Sequence, residues 1–441
     1  MIDCVRQQLE EIICEQQNLI QELFNLFRHV TDQLTNEVNE LRKKCNSKQQ
    51  IPCPPDDDEN LSSFIEAATT PVQHQSIAIR PISMGVSGGS VVDKISGSCC
   101  GGTLGALLRN SNGVRFILSN KHVLAADIKS GSNNRVSSKG DTIQQPGLLD
   151  INCRVAAGDT VARLTKWKGL NKIESGLVNR IDAAIAKVVS SKVRRDGHIF
   201  GIGIVARSPA TPRVDLKVMK AGRTTGVTFG RIVGIDATVN VQYGVECASQ
   251  EGFVAKFVNQ LVIKPETSIN PNFSLPGDSG SLIVTRSKPA RPVGLLFAGG
   301  SGVTFANRIT DVLSFFRMKI VGKRLTSSQV ATSNAVLTAE AEAGLEAEAD
   351  ETEFDKEDMI VSESNPRLIK AIQVKRKNLA KILDIPNCKG CYVRVDKRPG
   401  IRSPEIVLLF PKITMVMTKK LPTHFEDVPV TAIEIGDIRA F

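Results

Sequence analysis

Phe273-Ser274-Leu275-Pro276-Gly277-Asp278-Ser279-Gly280-Ser281-Leu282-Ile283-Val284 is a Gly-Asp-Ser-Gly turn that runs straight into an apolar strand. Such a turn can present a serine hydroxyl beside backbone N–H groups, which points to acyl-transfer chemistry at Ser279. A serine hydroxyl is a weak nucleophile until a neighbouring base takes its proton, so the reading demands a histidine and a group that orients it. The chain holds five histidines, at 29, 74, 122, 198 and 424. Only His122 follows an apolar strand, Val114 to Leu118, and opens a small apolar run, Val123-Leu124-Ala125-Ala126. The orienting group should be a carboxylate between the two, on or beside a strand. Asp182, in Arg180-Ile181-Asp182-Ala183-Ala184-Ile185, fits; Asp141, Asp150 and Asp159, in Gly-rich or polar stretches, are the alternatives. Taken singly, each residue has a plainer reading: a turn, a core imidazole, a strand-edge ion-pair partner. The constellation is what raises them.

The order His122, Asp182, Ser279, with spacings of 60 and 97 residues, resembles the chymotrypsin-like serine peptidases. Within them the chain is similar to intracellular trypsin-like peptidases of bacteria and plants. The segments that carry the likeness are Gly102-Thr103-Leu104-Gly105-Ala106, Leu118-Ser119-Asn120-Lys121-His122-Val123-Leu124-Ala125, Lys220-Ala221-Gly222-Arg223-Thr224-Thr225-Gly226, Pro276 to Ser281, and Gly294-Leu295-Leu296-Phe297-Ala298-Gly299. The resemblance covers residues 76 to 326. It implies a mostly β domain built as a double β-barrel, with His122 as base, Asp182 as its orienter, Ser279 as nucleophile, and an oxyanion hole from the N–H groups of Gly277 and Ser279. The implied substrate is a protein.

By the same resemblance, the floor of the specificity pocket lies at Phe273, next to Ser274, and one wall is the strand Phe297-Ala298-Gly299. No carboxylate stands at that floor, so a small or medium apolar residue is expected before the cut bond rather than Arg or Lys. Residues Lys220 to Gly226 read as a tight turn between strands. In secreted relatives the Asp before the nucleophile pairs with a newly cut N-terminus. Asp278 has no recognisable segment to supply that amine, so control is expected from the flanking units.

At 441 residues, 41% hydrophobic with 34 Gly, the chain can bury a large β core and is not of disordered type. No run of 18 apolar residues occurs and no charged n-region precedes an apolar stretch, so neither a membrane span nor a secretory signal is expected. A cytoplasmic setting follows. The ten Cys show no framework and are expected as thiols. Cys388-Lys389-Gly390-Cys391 lacks a second pair or a His partner and reads as a turn, and no metal or other cofactor is expected.

Residues 1–46 carry apolar positions at spacings of three and four, from Ile2 through Leu26, Val30, Leu34 and Val38 to Leu41, without Gly or Pro. This stripe predicts an amphipathic coiled-coil helix, with residues 1–45 serving self-association or a helical partner. Residues 47–75, with Pro52, Pro54, Pro55 and Asp56-Asp57-Asp58-Glu59, read as a linker, and 327–362 as an acidic Ala/Glu-rich spacer. Residues 363–441 predict a small α+β domain: a helix from Pro366 to Leu383, then strands at Cys391 to Val395, Glu405 to Phe410, Thr414 to Thr418 and Val428 to Ile435. Formal charge is +19 over 76–326, −7 over 1–75 and −2 over 327–441. With aromatics at 5% and no recognition motif, shielding of the basic region by the acidic linkers is a better reading than nucleic-acid binding.

Overall fold

The computed structural model describes residues 71–95, 98–125, 137–155, 157–189, 191–244, 252–326, 365–395, 403–414 and 420–440. The helix expected over 1–46, the connector up to residue 70 and the spacer 327–362 lie outside the described residues. The last five connector residues, Pro71–Gln75, form a short helix.

The first half of the expected barrel pair is built from β1 (Val86–Ser90), β2 (Gly102–Leu104), β3 (Ala106–Arg109), β4 (Arg115–Ser119), β5 (Thr142–Gln144), β6 (Thr160–Trp167) and β7 (Ala184–Val188). They pair in the order β3-β4-β7-β6-β5-β1-β2. Because β2 and β3 are one extended run broken only at Gly105, the ring closes. Closure leaves no open edge inside the ring. Its apolar side chains, among them Leu104, Leu108, Ile117, Leu118, Ile143, Val161, Leu164 and Ile185, are buried in one core.

A second ring follows. Strands β8 (Lys217–Gly222), β9 (Gly226–Tyr243), β10 (Phe253–Pro265), β11 (Leu282–Thr285), β12 (Pro292–Gly300) and β13 (Val303–Arg308) pair as β8-β11-β12-β13-β10-β9, and β9 returns to β8. Residues Arg223 to Thr225 are the turn of that β8–β9 hairpin, in register Gly222↔Gly226. The first core runs on into this ring through Met219, Phe229, Leu282 and Leu295, so the barrels share apolar packing. The short helix α1 (Lys121–Leu124) packs against β1 and β7 of the first ring. After β13, α2 (Ile309–Phe316) buries Ile309, Val312 and Phe316, and β14 (Lys319–Ile320) returns to pair with β3.

The C-terminal region forms α3 (Pro366–Lys377), α4 (Leu379–Leu383), β15 (Gly390–Val395), β16 (Pro404–Phe410), β17 (His424–Phe425), β18 (Val428–Glu434) and β19 (Arg439–Ala440). Asn365 caps α3 by accepting from the Arg367 and Leu368 N–H groups at 3.0 and 3.2 Å, with Pro366 at the first helical position. The single helix expected from Pro366 to Leu383 is interrupted at Asn378. The strand expected at Thr414 to Thr418 falls on residues 415–419, outside the described ones. This region is not edge-on to empty space: β15 pairs with β9 at Thr238↔Cys391 and Val239↔Gly390, so one sheet continues from the barrel through β15, β16, β18 and β17. Register shifts in β9 between Ile232 and Val239 bend the strand, which allows it to serve both sides.

An ion pair clamps α3 to that bend. Lys375 lies 2.7 Å from Asp236, both nearly fully buried, and Arg376 reaches the other carboxylate oxygen at 2.7 Å. Burial pushes the Asp236 carboxyl up, but the Lys375 charge and the hydrogen bonds from Arg376 and Lys375 more than offset it.

The cysteine expectation needs correction. Cys99 and Cys153 form a disulfide, because the loop after β1 and the turn after Leu148–Ile151 meet although 54 residues separate them. Disulfides persist in oxidising compartments, so the pairing removes the support that cysteine usage lent to a cytoplasmic setting. Cys388 and Cys391 are buried core side chains; burial raises both thiols, Cys391 to about 12. Among the described residues no helix is long and apolar enough to cross a membrane.

Replacing Asp236 with Asn keeps the side chain's shape and its left-handed backbone (φ 52°) but leaves the Lys375 ammonium buried without its counter-charge. We expect a loss of about 3–5 kcal/mol in urea unfolding. A loss under about 1 kcal/mol would show that the clamp contributes little.

Candidate active site

Asp182 sits two residues before β7 and accepts hydrogen bonds from both barrels. Its Oδ2 takes His122 Nδ1 at 2.6 Å and the Tyr243 hydroxyl at 2.8 Å; its Oδ1 takes the Lys121 N–H at 2.7 Å. The main chain is held as firmly. The Asp182 N–H donates to Asn307 Oδ1 at 2.9 Å, Asn120 donates to the Asp182 carbonyl at 2.7 Å, and Asn307 in turn donates to Gln260 at 2.7 Å. Burial would push the carboxyl up; the charge of His122, with hydrogen bonds from His122 and Tyr243, outweighs it and holds the group below its ordinary 3.8.

A carboxylate only accepts, so His122 Nδ1 carries the proton of this bond. In the neutral ring Nε2 is then left with a lone pair, the tautomer a general base requires. Tyr243 also meets the imidazole edge-on, ring centres 5.7 Å apart, and is itself stacked on Phe253 at 5.1 Å.

Ser279 reaches the same region from the second barrel. Its carbonyl accepts the Thr103 N–H at 2.8 Å, and Thr103 Oγ1 donates to the Gly277 carbonyl at 3.0 Å. Strand β2 therefore separates the serine turn from α1 by one residue's thickness: a Cβ on Gly102 would stand 2.6 Å from Val123 and 3.1 Å from the Ser279 carbonyl. Gly105 is as tightly constrained, since a Cβ there would lie 1.8 Å from the Gly280 carbonyl. The Ser279 hydroxyl donates to the Phe297 carbonyl at 3.2 Å. Gly277 has φ 96°, a conformation other residues resist. Neither its N–H nor that of Ser279 has an acceptor among the described residues.

Asp278, between them, is fully buried and faces Lys220, also fully buried, at 3.4 Å. The carboxylate takes four further donors: the N–H groups of Thr224 (2.9 Å), Thr225 (3.2 Å) and Leu275 (3.0 Å), and the Thr225 hydroxyl (2.7 Å). Lys220 also donates to Thr225 Oγ1 and to the Gly226 carbonyl. Burial lowers the Lys220 ammonium's affinity for its proton, and Asp278 works against that. The amine that sequence reasoning found missing is thus supplied by an internal lysine. Its sequence signal was present: a charged residue inside the apolar strand Val218-Met219-Lys220-Ala221. Tyr243 left no comparable signal, because nothing local marks its hydroxyl as facing a carboxylate across the barrels.

The residues expected to form the specificity pocket are placed as follows. The Phe273 ring is 1% exposed and packed in the second barrel's core with Val218, Ile232, Ile263 and Ile283. Ser274 is bonded to Thr304 Oγ1 at 2.6 Å. Phe297 packs on Phe257 at 4.6 Å, and Phe297, Ala298 and Gly299 are all buried. The alternative carboxylate Asp150 is taken by Arg223, at 2.5 and 2.8 Å, and Asp141 accepts from the Ser138 N–H. Asp159 faces Arg80 at 3.5 Å.

The model of the Nal1 C-terminal domain family matches residues 176–309, which include Asp182 and Ser279 but not His122. No curated protein matches the chain. Similar solved structures include a glutamic acid specific serine protease that uses a histidine triad in substrate binding, 15% identical, covering 54% of this chain and all of that one, with TM-score 0.36. A Nocardiopsis protease is 15% identical over 54% of this chain and 98% of that chain (TM-score 0.33). Protease A of Thermobifida fusca is 15% identical over 51% and 92% (TM-score 0.31).

Two outcomes test this geometry. The folded value of Asp182 lies below 3.8, so its pairing contributes fully above about pH 3.8 and is lost as pH falls through the folded value. Asp182→Asn should therefore make the acid limb of a Tm-against-pH curve shallower; an unchanged limb would contradict the pairing. Lys220→Met leaves Asp278 buried without a cation and should cost about 3 kcal/mol in denaturant unfolding.

Proposed function

We propose that the protein is a serine endopeptidase that cleaves protein substrates through His122, Asp182 and Ser279. The observation that carries this is the 2.6 Å bond from His122 Nδ1 to Asp182, made beside a glycine-flanked serine turn seated on the neighbouring strand. In this reading an incoming peptide competes for the Phe297 carbonyl, and the Ser279 hydroxyl turns its proton to His122 Nε2. The oxygen attacks the peptide carbonyl carbon. The oxyanion is met by the N–H groups of Gly277 and Ser279, while Asp182 stabilises the imidazolium. His122 then protonates the leaving amine, and an acyl-enzyme forms that water, activated by the same imidazole, hydrolyses.

Lys220 and Asp278 support a site that folds without a cleaved N-terminus. Regulation by the flanking units belongs to the same proposal. A second reading, an inactive peptidase fold serving as a basic binding scaffold, is favoured by the complete burial of Ser279 and by its hydroxyl's bond to Phe297.

A fluorophosphonate separates the two. The parent should be labelled at Ser279, however slowly, and Ser279→Ala not at all, with peptide hydrolysis falling about a million-fold in the variant. No label in the parent across the neutral range would favour the scaffold.

A further inference from the structure

Strand β12 is bordered on one side by β13 along Gly294 to Gly300 and on the other by β11, which stops at Leu295. Beyond that point the β11 side is taken over by β19, antiparallel, with Ala298↔Ala440 and Gly299↔Arg439. On its far side β19 meets β9 in parallel, Gln242↔Arg439, and the Gln242 N–H donates to the Ile438 carbonyl at 2.9 Å. The C-terminal region thus fills a slot between β9 and β12. The preceding residues follow the same edge: the Ser301 N–H donates to the Ile435 carbonyl at 2.8 Å. Ile438 is 2% exposed and belongs to the apolar cluster of Tyr243, Phe253 and Phe297.

This slot leads to the nucleophile. Ala298 follows Phe297, whose carbonyl accepts the Ser279 hydroxyl. The register carries the segment from Gly299 to Ala298, so its N-to-C direction runs towards Phe297 and Ser279. A peptide cut at Ser279 must deliver its carbonyl carbon from the N-terminal side of the scissile bond. An extended strand added to this edge arrives in that direction.

We propose that Ile438–Ala440 is a cis occupant of the peptide-binding slot and holds it closed to other chains. The ligand class of the slot is then an extended peptide with an apolar residue two positions before a small one, as Ile438 stands before Ala440. The inference rests on the peptidase reading of Ser279.

The full chain carrying Ser279→Ala binds without turnover, and a fluorescein-labelled peptide of residues Ile435–Phe441 serves as the probe. Ending the chain after Gly436, or replacing both Arg439 and Ala440 with proline to remove their N–H groups, should tighten binding about tenfold or more, as for a slot filled about nine-tenths of the time. Equal affinity in all three proteins overturns the proposal. Hydrogen exchange on the chain altered only at Ser279 tests it without either variant: peptide well above the variants' Kd should speed exchange at 438–440, and unchanged protection there counts against it. With Ser279 restored, both variants should react faster with a fluorophosphonate. Tighter peptide binding without any labelling keeps the slot assignment and removes the peptidase reading instead.

Discussion

The buried carboxylate of Asp182 is the constraint around which the site is organised. A charge removed from water must be paired and hydrogen-bonded, or it is neutralised or expelled. Here the donors are His122 and the Lys121 N–H from α1 and the Tyr243 hydroxyl from the end of β9, while Asn307 on β13 accepts the Asp182 N–H and so anchors the residue's main chain. Because Tyr243 and Asn307 belong to the second barrel, seating this one residue also ties the two barrels together. The same contact sets the tautomer of His122.

A second buried charge plays the corresponding part at the Gly277–Gly280 turn. Asp278 draws the Thr224–Thr225 turn, Leu275 and Lys220 around itself, and the N–H groups on either side of it, those of Gly277 and Ser279, have no backbone acceptor among the described residues. An ammonium on a strand differs from one on a free terminus in its timing. It is in place as soon as β8 pairs with β9 and β11, so the turn needs no cut elsewhere in the chain to acquire its shape. The C-terminal region is joined to the barrel sheet through β15, clamped at Asp236, and reaches β12 through β19.

Much of this was legible in the residues. The Gly-Asp-Ser-Gly turn, the strand before His122 and the short apolar run after Asp182 are local patterns, and each implies its own local structure. The closed rings were implied by the resemblance, and the pairings bear that architecture out. What could not be read were contacts between residues far apart: Tyr243 on Asp182 across 61 positions, Lys220 on Asp278 across 58, Cys99 on Cys153 across 54. The packing of Phe273 was not legible for a related reason. Nothing local tells an aromatic residue in such a turn which neighbours it will meet, and only the tertiary structure packs Ile232, Ile263 and Ile283 around it.

The sequence by itself determined which chemical groups exist and which elements carry them, because backbone conformation and strand periodicity depend on neighbours a few residues away. Only the tertiary structure decided which groups face one another, and so which charges are paired, which thiols are bonded and which strand edge is covered. Those outcomes depend on how two closed rings and an added sheet share space, and burial raises the cost of every unpaired polar group until one arrangement satisfies them.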